Sequence, residues 1–176
     1  EVNQKELESL LEALLNNRDK LKQDFDLAML ATDLNAAIGN QESAYESYLK
    51  LLDNPQSKSP RSYHHLQLQI GKTALNLGLN DISLASLQEA MMVSPDDLET
   101  RHVLTNAYLK AGLGNEAFNT ARASLQIAPA DLDNLLWFSE FMSNQDNERE
   151  AIQVLKDAIH LRPEDKTLYL TLARTY

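Results

Sequence analysis

The sequence predicts an all-α chain, a solenoid-like stack of antiparallel helix hairpins, and three observations carry that reading. Pro95, Pro129 and Pro163 stand 34 residues apart and then 34 again. Apolar residues recur at steps of three and four, the spacing that gathers side chains on one face of a helix. Only five Gly and five Pro occur in 176 residues, so long helical runs are left unbroken.

Around each of the three prolines the same text returns as EAMMVSPDD, ASLQIAPAD and DAIHLRPED. A small residue (Ala90, Ser124, Ala158) is followed by an apolar one (Met91, Leu125, Ile159), a second apolar one (Val93, Ile127, Leu161) and then Pro. Counting back gives units 64–97, 98–131 and 132–165. In each, positions four, seven, eight and eleven fall on one face of a first helix. They read Gln67, Ile70, Gly71 and Ala74, then Arg101, Leu104, Thr105 and Tyr108, then Leu135, Phe138, Ser139 and Met142. The eighth position is small every time, as close helix contact requires. A break follows at Gly78, Gly112 or Asp146. The second helix then carries Ser83, Leu87 and Ala90, or Ala117, Ala121 and Ser124, or Ala151, Leu155 and Ala158.

An earlier copy fits 25–58, with Gly39 at its turn and Ala44, Tyr48 and Leu51 on its second helix. The polar stretch SKSPR, 57–61, reads as a short insertion before the register resumes at His64. After Lys166 a fifth first helix begins with Tyr169, Leu172, Ala173 and Tyr176, giving a half-repeat 166–176. Ahead of the array, Leu7, Leu10, Leu11, Leu14 and Leu15 form an apolar stripe, so residues 1–24 are expected to supply an amphipathic capping helix over the first repeat's end. The alternatives are the second helix of an upstream repeat, which Arg18 disfavours where Ala would be wanted, or a docking helix for another chain. Ten helices follow: 5–22, 25–38, 42–53, 63–77, 81–93, 97–111, 115–127, 131–144, 148–160 and 166–175.

Composition narrows the function classes. A formal net charge of −10 repels phosphate backbones and anionic headgroups on average, so no nucleic-acid partner is expected. The densest basic stretch, Arg18, Lys20 and Lys22, is interleaved with Asp19 and Asp24. With no cysteine, disulfides, thiolate zinc sites and cysteine nucleophiles are excluded. No run approaches the roughly 18 apolar residues of a membrane span, and the acidic, amphipathic start is not signal-like. The expectation is a soluble segment without direct membrane insertion, with the cytoplasm favoured. Its opening at Glu1 and its stop at Tyr176 inside a helical pattern suggest an excised fragment.

The motifs of catalysis are missing: no GxxxxGK[ST], no GxGxxG after a strand, no HExxH and no GxSxG. The glycine pair Gly112 and Gly114 in KAGLGNEA is explained by the hairpin turn. His64 and His65 point about 100° apart on a helix and cannot easily share a metal. With His102 and His160 they read as surface histidines. Asp96, Asp97, Asp131, Glu164 and Asp165 follow the repeat boundaries, where carboxylates cap or complement helix N-termini. The reading therefore assigns no catalytic residue, no metal site and no cofactor. Trp137, in LLWFSEF, reads either as packing between helices or as an aromatic anchor for a ligand, and Met91 with Met92 reads as core filler.

The 34-residue period, the small-residue positions, the turn glycines and the closing prolines resemble the tetratricopeptide-repeat (TPR) family over residues 25–176. The pattern departs from the family at position four, where Gln67 and Arg101 replace a large apolar residue. The resemblance implies a right-handed superhelical solenoid whose first helices line a concave inner face. Positions two, five, nine, twelve and thirteen would then meet a ligand, and helical spacing independently puts two, five, nine and twelve on one face. In the first two repeats those positions hold Asp26, Met29, Asp33, His65, Leu68 and Lys72. In the third they hold Glu99, His102, Asn106 and Lys110, in the fourth Asp133, Leu136, Glu140 and Asn144, and in the half-repeat Leu170 and Arg174. The Lys, Asn and Arg set by which chaperone-binding relatives hold a C-terminal carboxylate is absent, as is the asparagine ladder of the sugar-transferase relatives.

The function implied is a protein-interaction scaffold that holds a peptide or partner helix within a larger assembly. Met29, Leu68, Leu136 and Leu170 would take apolar anchors, and the acidic excess of the flanking groove charges would take some Lys or Arg. The alternatives are a regulatory or substrate-recruiting segment of a multidomain enzyme, and a self-associating assembly module.

Overall fold

The computed structural model describes residues 4–176. Residues 1–3 and the side chains of Arg18 and Lys22 lie outside the described residues, and so do the start of the 1–24 segment and the reading placed on Arg18. Among the described residues there are eleven α-helices and no strand. The chain forms two compact units, one up to Gly112 and the other from Leu113 to Tyr176.

The first unit contains α1 (Gln4–Leu15), α2 (Arg18–Gln23), α3 (Phe25–Ala37), α4 (Gln41–Leu52), α5 (Pro60–Asn76), α6 (Asn80–Val93) and α7 (Leu98–Lys110). The second contains α8 (Gly114–Ile127), α9 (Leu132–Asn144), α10 (Glu148–Leu161) and α11 (Lys166–Thr175). The pairs α3/α4, α5/α6 and α9/α10 are the expected hairpins.

Two boundaries differ from the sequence expectation. The single helix over 5–22 is broken between α1 and α2, where Asn16 and Asn17, whose side chains compete for backbone hydrogen bonds, interrupt the run. The break turns Leu21 onto the cluster that Leu7, Leu11 and Leu14 make with Ala31 and Leu34 of α3, leaving Leu10 and Leu15 exposed. The expected insertion at 57–61 is mostly ordered helix. Pro55–Lys58 is a 3-10 turn, with the Ser57 hydroxyl donating to the Leu52 carbonyl at 2.7 Å. Ser59 then caps α5, with Pro60 at its first turn, so α5 starts earlier than the repeat register alone requires.

One register of carboxylates starts the other first helices. Asp24, Asp97, Asp131 and Asp165 each accept a backbone N–H from the first turn of α3, α7, α9 and α11. The second helices follow tight turns instead, in which Gly39, Gly78 and Gly112 take positive φ and Asp146 takes the same left-handed conformation at φ 55°.

The small residues of the repeat are buried in both units. Ser83, Leu87 and Ala90 on α6 are fully buried, as are Ala117, Ala121 and Ser124 on α8, and Ala151 and Leu155 on α10. At the α5/α6 crossing the Ser83 hydroxyl donates to the Gly71 carbonyl at 2.9 Å. A Cβ on Gly71 would lie 2.5 Å from Leu87 Cγ, so the crossing leaves no room for even a methyl group.

Position three of α5, α7, α9 and α11, which lies off the core face expected from the sequence, is fully buried as Leu66, Thr100, Asn134 and Leu168. It faces the preceding hairpin. Leu66 joins Ala44 and Tyr48 of α4, and Leu168 joins Leu155 and Ala158 of α10. Asn134 donates to the Ser124 and Ala128 carbonyls at 2.9 and 3.3 Å. At position four, Gln67 is buried and the Arg101 guanidinium reaches the Pro95 carbonyl at 2.6 Å. Of the methionine doublet, Met91 packs on the core, whereas Met92 is exposed and is not core filler.

In the second unit Arg122 of α8 grips Glu150 of α10 with two bonds of 2.9 and 2.8 Å, and Asn147 donates to the same carboxylate at 3.0 Å. The Arg122 hydrogen bond holds Glu150 below the usual carboxylate range, against the opposing pull of its partial burial.

The packing can be tested at two places. Gly71→Ala should destabilise by about 1–3 kcal/mol through overpacking. In a Leu87→Ala background the same change should stabilise, because the clash is gone and roughly 1 kcal/mol of helix propensity is gained. A urea double-mutant cycle measures both, and additive effects would place the crossing elsewhere. For the ion pair, a depressed carboxylate contributes stability above its unfolded value of about 4.3 and loses it as pH falls through the folded value. Thermal melts of wild type and Arg122→Gln at low ionic strength should therefore differ at pH 7 and converge below about pH 4.

Candidate functional site

The first helices of the first unit carry most of the residues the sequence assigned to a ligand, and the structure gives them unequal roles. Asp26 is exposed and Met29 half-buried on α3. Leu68 is a correction: only 4% exposed, it lies in the core with Leu75, Leu87 and Leu104, because α7 closes over α5 at that point. It offers no anchor to a ligand.

Several of the expected groove charges are engaged with one another. The Lys72 ammonium of α5 meets Glu99 of α7 at 2.6 Å. His65 Nε2 lies 3.1 Å from both oxygens of Asp33 on α3. Asp33 Oδ1 also accepts the hydroxyl of the fully buried Tyr48 at 2.7 Å. The neighbouring His64 turns the other way, its Nε2 standing 3.0 Å from Thr100 Oγ1 at the head of α7. That hydroxyl donates to Asp97 at 2.6 Å, so it accepts from His64. Adjacent histidines thus tie α5 to both neighbouring first helices, a structural role that the surface-histidine reading missed. Lys110 reaches the Leu75 carbonyl at 3.5 Å; His102 is half-buried and Asn106 exposed.

Between α3 and α5 lies a cleft of about 500 Å³. Met29 and the 45% exposed Leu30 give it apolar surface, and Asp26, Arg61, His64 and His65 surround them. A second cleft of about 500 Å³, beside the α2/α3 junction, is lined by Lys20, Gln23, Asp26 and Gln56 among others. Asp26 lines both, so the two clefts meet there. Arg61 and Leu30 were not in the sequence-derived set. Arg61 enters through the early start of α5, and Leu30 occupies the register position that Trp137 holds in the fourth repeat.

In the second unit Asp133, Glu140 and Asn144 are exposed on α9, as are Leu170, at 61%, and Arg174 on α11. Leu136 is half-buried against the cluster of Leu135, Leu155, Ala158 and Leu168. Trp137 stacks on Phe141 at 5.7 Å and 15°, and Phe118 of α8 meets Phe141 edge-on at 5.6 Å. This supports the packing reading of Trp137 over the ligand anchor. Among the described residues no group of three His, Cys, Asp or Glu could hold a metal ion. Among them, too, no helix is long and apolar enough to cross a membrane.

Helix hairpins at a 34-residue period, small residues at the crossings and first helices bearing the clefts define a tetratricopeptide-repeat fold. Solved structures of the same fold agree. TTC0263, a thermophilic TPR protein of Thermus thermophilus, is similar at a TM-score of 0.71 and 16% identity, over 96% of this chain and 90% of that one. YrrB, described as a TPR protein with an unusual peptide-binding site, is similar at 0.63 and 14% identity, over 94% and 83%. The 41-end form of MamA from Desulfovibrio magneticus RS-1 is similar at 0.66 and 12% identity, over 93% and 97%. No protein-family model and no curated protein matches the chain.

Burial first, and then the Asp33 carboxylate, push the Tyr48 phenol above the ordinary tyrosine range. A raised phenol contributes stability that is present below the unfolded value of about 10 and lost as pH rises past it, since only the unfolded chain ionises there. Tyr48→Phe should therefore be less stable than wild type at pH 7 by about 1 kcal/mol. The gap should narrow above about pH 10. Urea midpoints at about pH 7 and pH 10.5 check this, and a pH-independent gap would show that Tyr48 ionises normally.

Proposed function

We propose that the chain is a protein-interaction scaffold, a binding module and not an enzyme, which takes a peptide segment on the first-helix face of its first unit. The observation that carries this reading is the pair of clefts meeting at Asp26, with Leu30 and Met29 exposed enough to receive an apolar side chain. An extended segment suits the site better than a helix, because the two clefts follow one another past α3 and alternate side chains of an extended peptide can point into them. YrrB, which has the same fold, is described as having a peptide-binding site, and this supports the reading.

The anchors differ from those read in the sequence. Leu68 is buried, and Leu30 stands beside Met29 on the exposed face. Selection of a random-peptide display library on the immobilised chain should enrich sequences with a shared apolar position. Those sequences should lose most of their binding to Leu30→Glu, a change on an exposed position that leaves the helical signal intact. Enriched peptides that bind Leu30→Glu as well as wild type would move the site off this face.

A further inference from the structure

The charges left on the joined clefts specify the segment more closely, resting on the reading that this face binds a peptide. Of the charged side chains lining them, Asp24 is engaged at the head of α3, where Oδ1 accepts the Leu27 N–H at 3.1 Å. Asp33 is engaged by Tyr48 and His65. Three remain that make no ion pair or side-chain hydrogen bond among the described residues: Lys20 in the cleft beside α2, Asp26 where the clefts meet, and Arg61 in the cleft between α3 and α5. Their order along the track is cation, anion, cation, with the Leu30 and Met29 surface on the Arg61 side of Asp26. From Asp26 to Asp33 the helix rises about 10 Å, the reach of about three extended residues.

We propose that the occupant is an extended peptide with one basic side chain at Asp26, an acidic side chain toward Lys20 and another toward Arg61, and an apolar side chain on Leu30 between Asp26 and Arg61. The pattern is acidic, basic, apolar, acidic, read in whichever direction the chain runs. It differs from the ligand that net charge alone would select, since a chain of −10 would favour a uniformly basic partner. A uniformly basic segment would meet Lys20 and Arg61 with like charge, and a uniformly acidic one would meet Asp26.

The test uses acetylated, amidated nonapeptides with Glu-Lys-Leu-Glu or its reverse at the centre of a Gly-Ser frame. Charge-inverted Lys-Glu-Leu-Lys and neutral Gln-Gln-Leu-Gln versions serve as comparison, and fluorescence anisotropy with the whole chain is the readout. One direction of the first pattern should bind about tenfold more tightly than the inverted peptide, the sum of three exposed charge pairs, and the advantage should shrink with added salt. In the double variant Asp26→Lys with Arg61→Glu, both exposed positions, the preference should move toward the inverted peptide. Leu30→Glu should weaken all three. Equal affinities or the opposite order, with Leu30 dependence intact, would overturn the charge pattern while leaving the peptide-binding reading in place. Display-selected peptides that bind through Leu30 while none of these probes binds would do the same. Failure of both the probes and the display selection would overturn the two together.

Discussion

Two α-helices can approach until their backbones nearly touch only where the side chains between them are small, and that steric condition sets the rest of this structure. At the α5/α6 crossing it is met by Gly71, whose missing Cβ leaves room for Leu87. Ser83 uses the same closeness to donate a hydroxyl to the Gly71 carbonyl, so backbone and side chain meet directly. The equivalent positions Ser139 and Ala151, on the paired α9 and α10, are fully buried for the same reason. Close crossings fix the rotation of each helix about its axis. That rotation decides which residues of the first helices look outward.

The consequence reaches the loops. A tightly closed hairpin needs a chain reversal in very few residues, which is why Gly39 and Gly78 take left-handed backbone and Asp146 accepts the same conformation without being glycine. Connections between hairpins are looser, and there an aspartate at a fixed register caps the next helix. Stacking of one hairpin on the next then depends on position three, where Leu66 and Leu168 fill apolar space and Asn134 satisfies carbonyls at the end of α8.

The repeat was legible because the crossing demands small residues at a fixed period, and such a demand survives when everything around it varies. Hairpin boundaries, turn residues and the capping role of Asp97, Asp131 and Asp165 could all be read from it. Position three was hidden, since Thr100 and Asn134 look like surface residues until their hydrogen-bond partners on other elements are known. Leu68 was misread for a related reason: helical spacing put it on the ligand face, but the approach of α7 buries it, and that distance is set by tertiary packing. The break at Asn16 and Asn17 and the early start of α5 at Ser59 are local capping decisions that a periodic apolar pattern does not reveal.

Charge was the least legible part of the candidate site, because a formal charge on a ligand-facing register says nothing about whether the side chain is already partnered. Lys72 and Glu99, chosen separately as ligand contacts, neutralise each other across α5 and α7. Asp33 is likewise taken up, by a hydrogen bond with His65 across α3 and α5 and by the hydroxyl of Tyr48. Such pairs hold adjacent first helices in register, and displacing one with a ligand would first require breaking it. On the proposed peptide face, what is left for recognition is the charge that no neighbour answers, and on α5 that condition singles out Arg61. Arg61 belongs to the extra turn that lies outside the repeat, so it is free of the packing that constrains the periodic positions. Specificity in a repeat array is therefore sought where the repeat is broken. The periodic residues build and brace the face, and the insertion between the first two hairpins gives it a charge that the repeat itself does not supply.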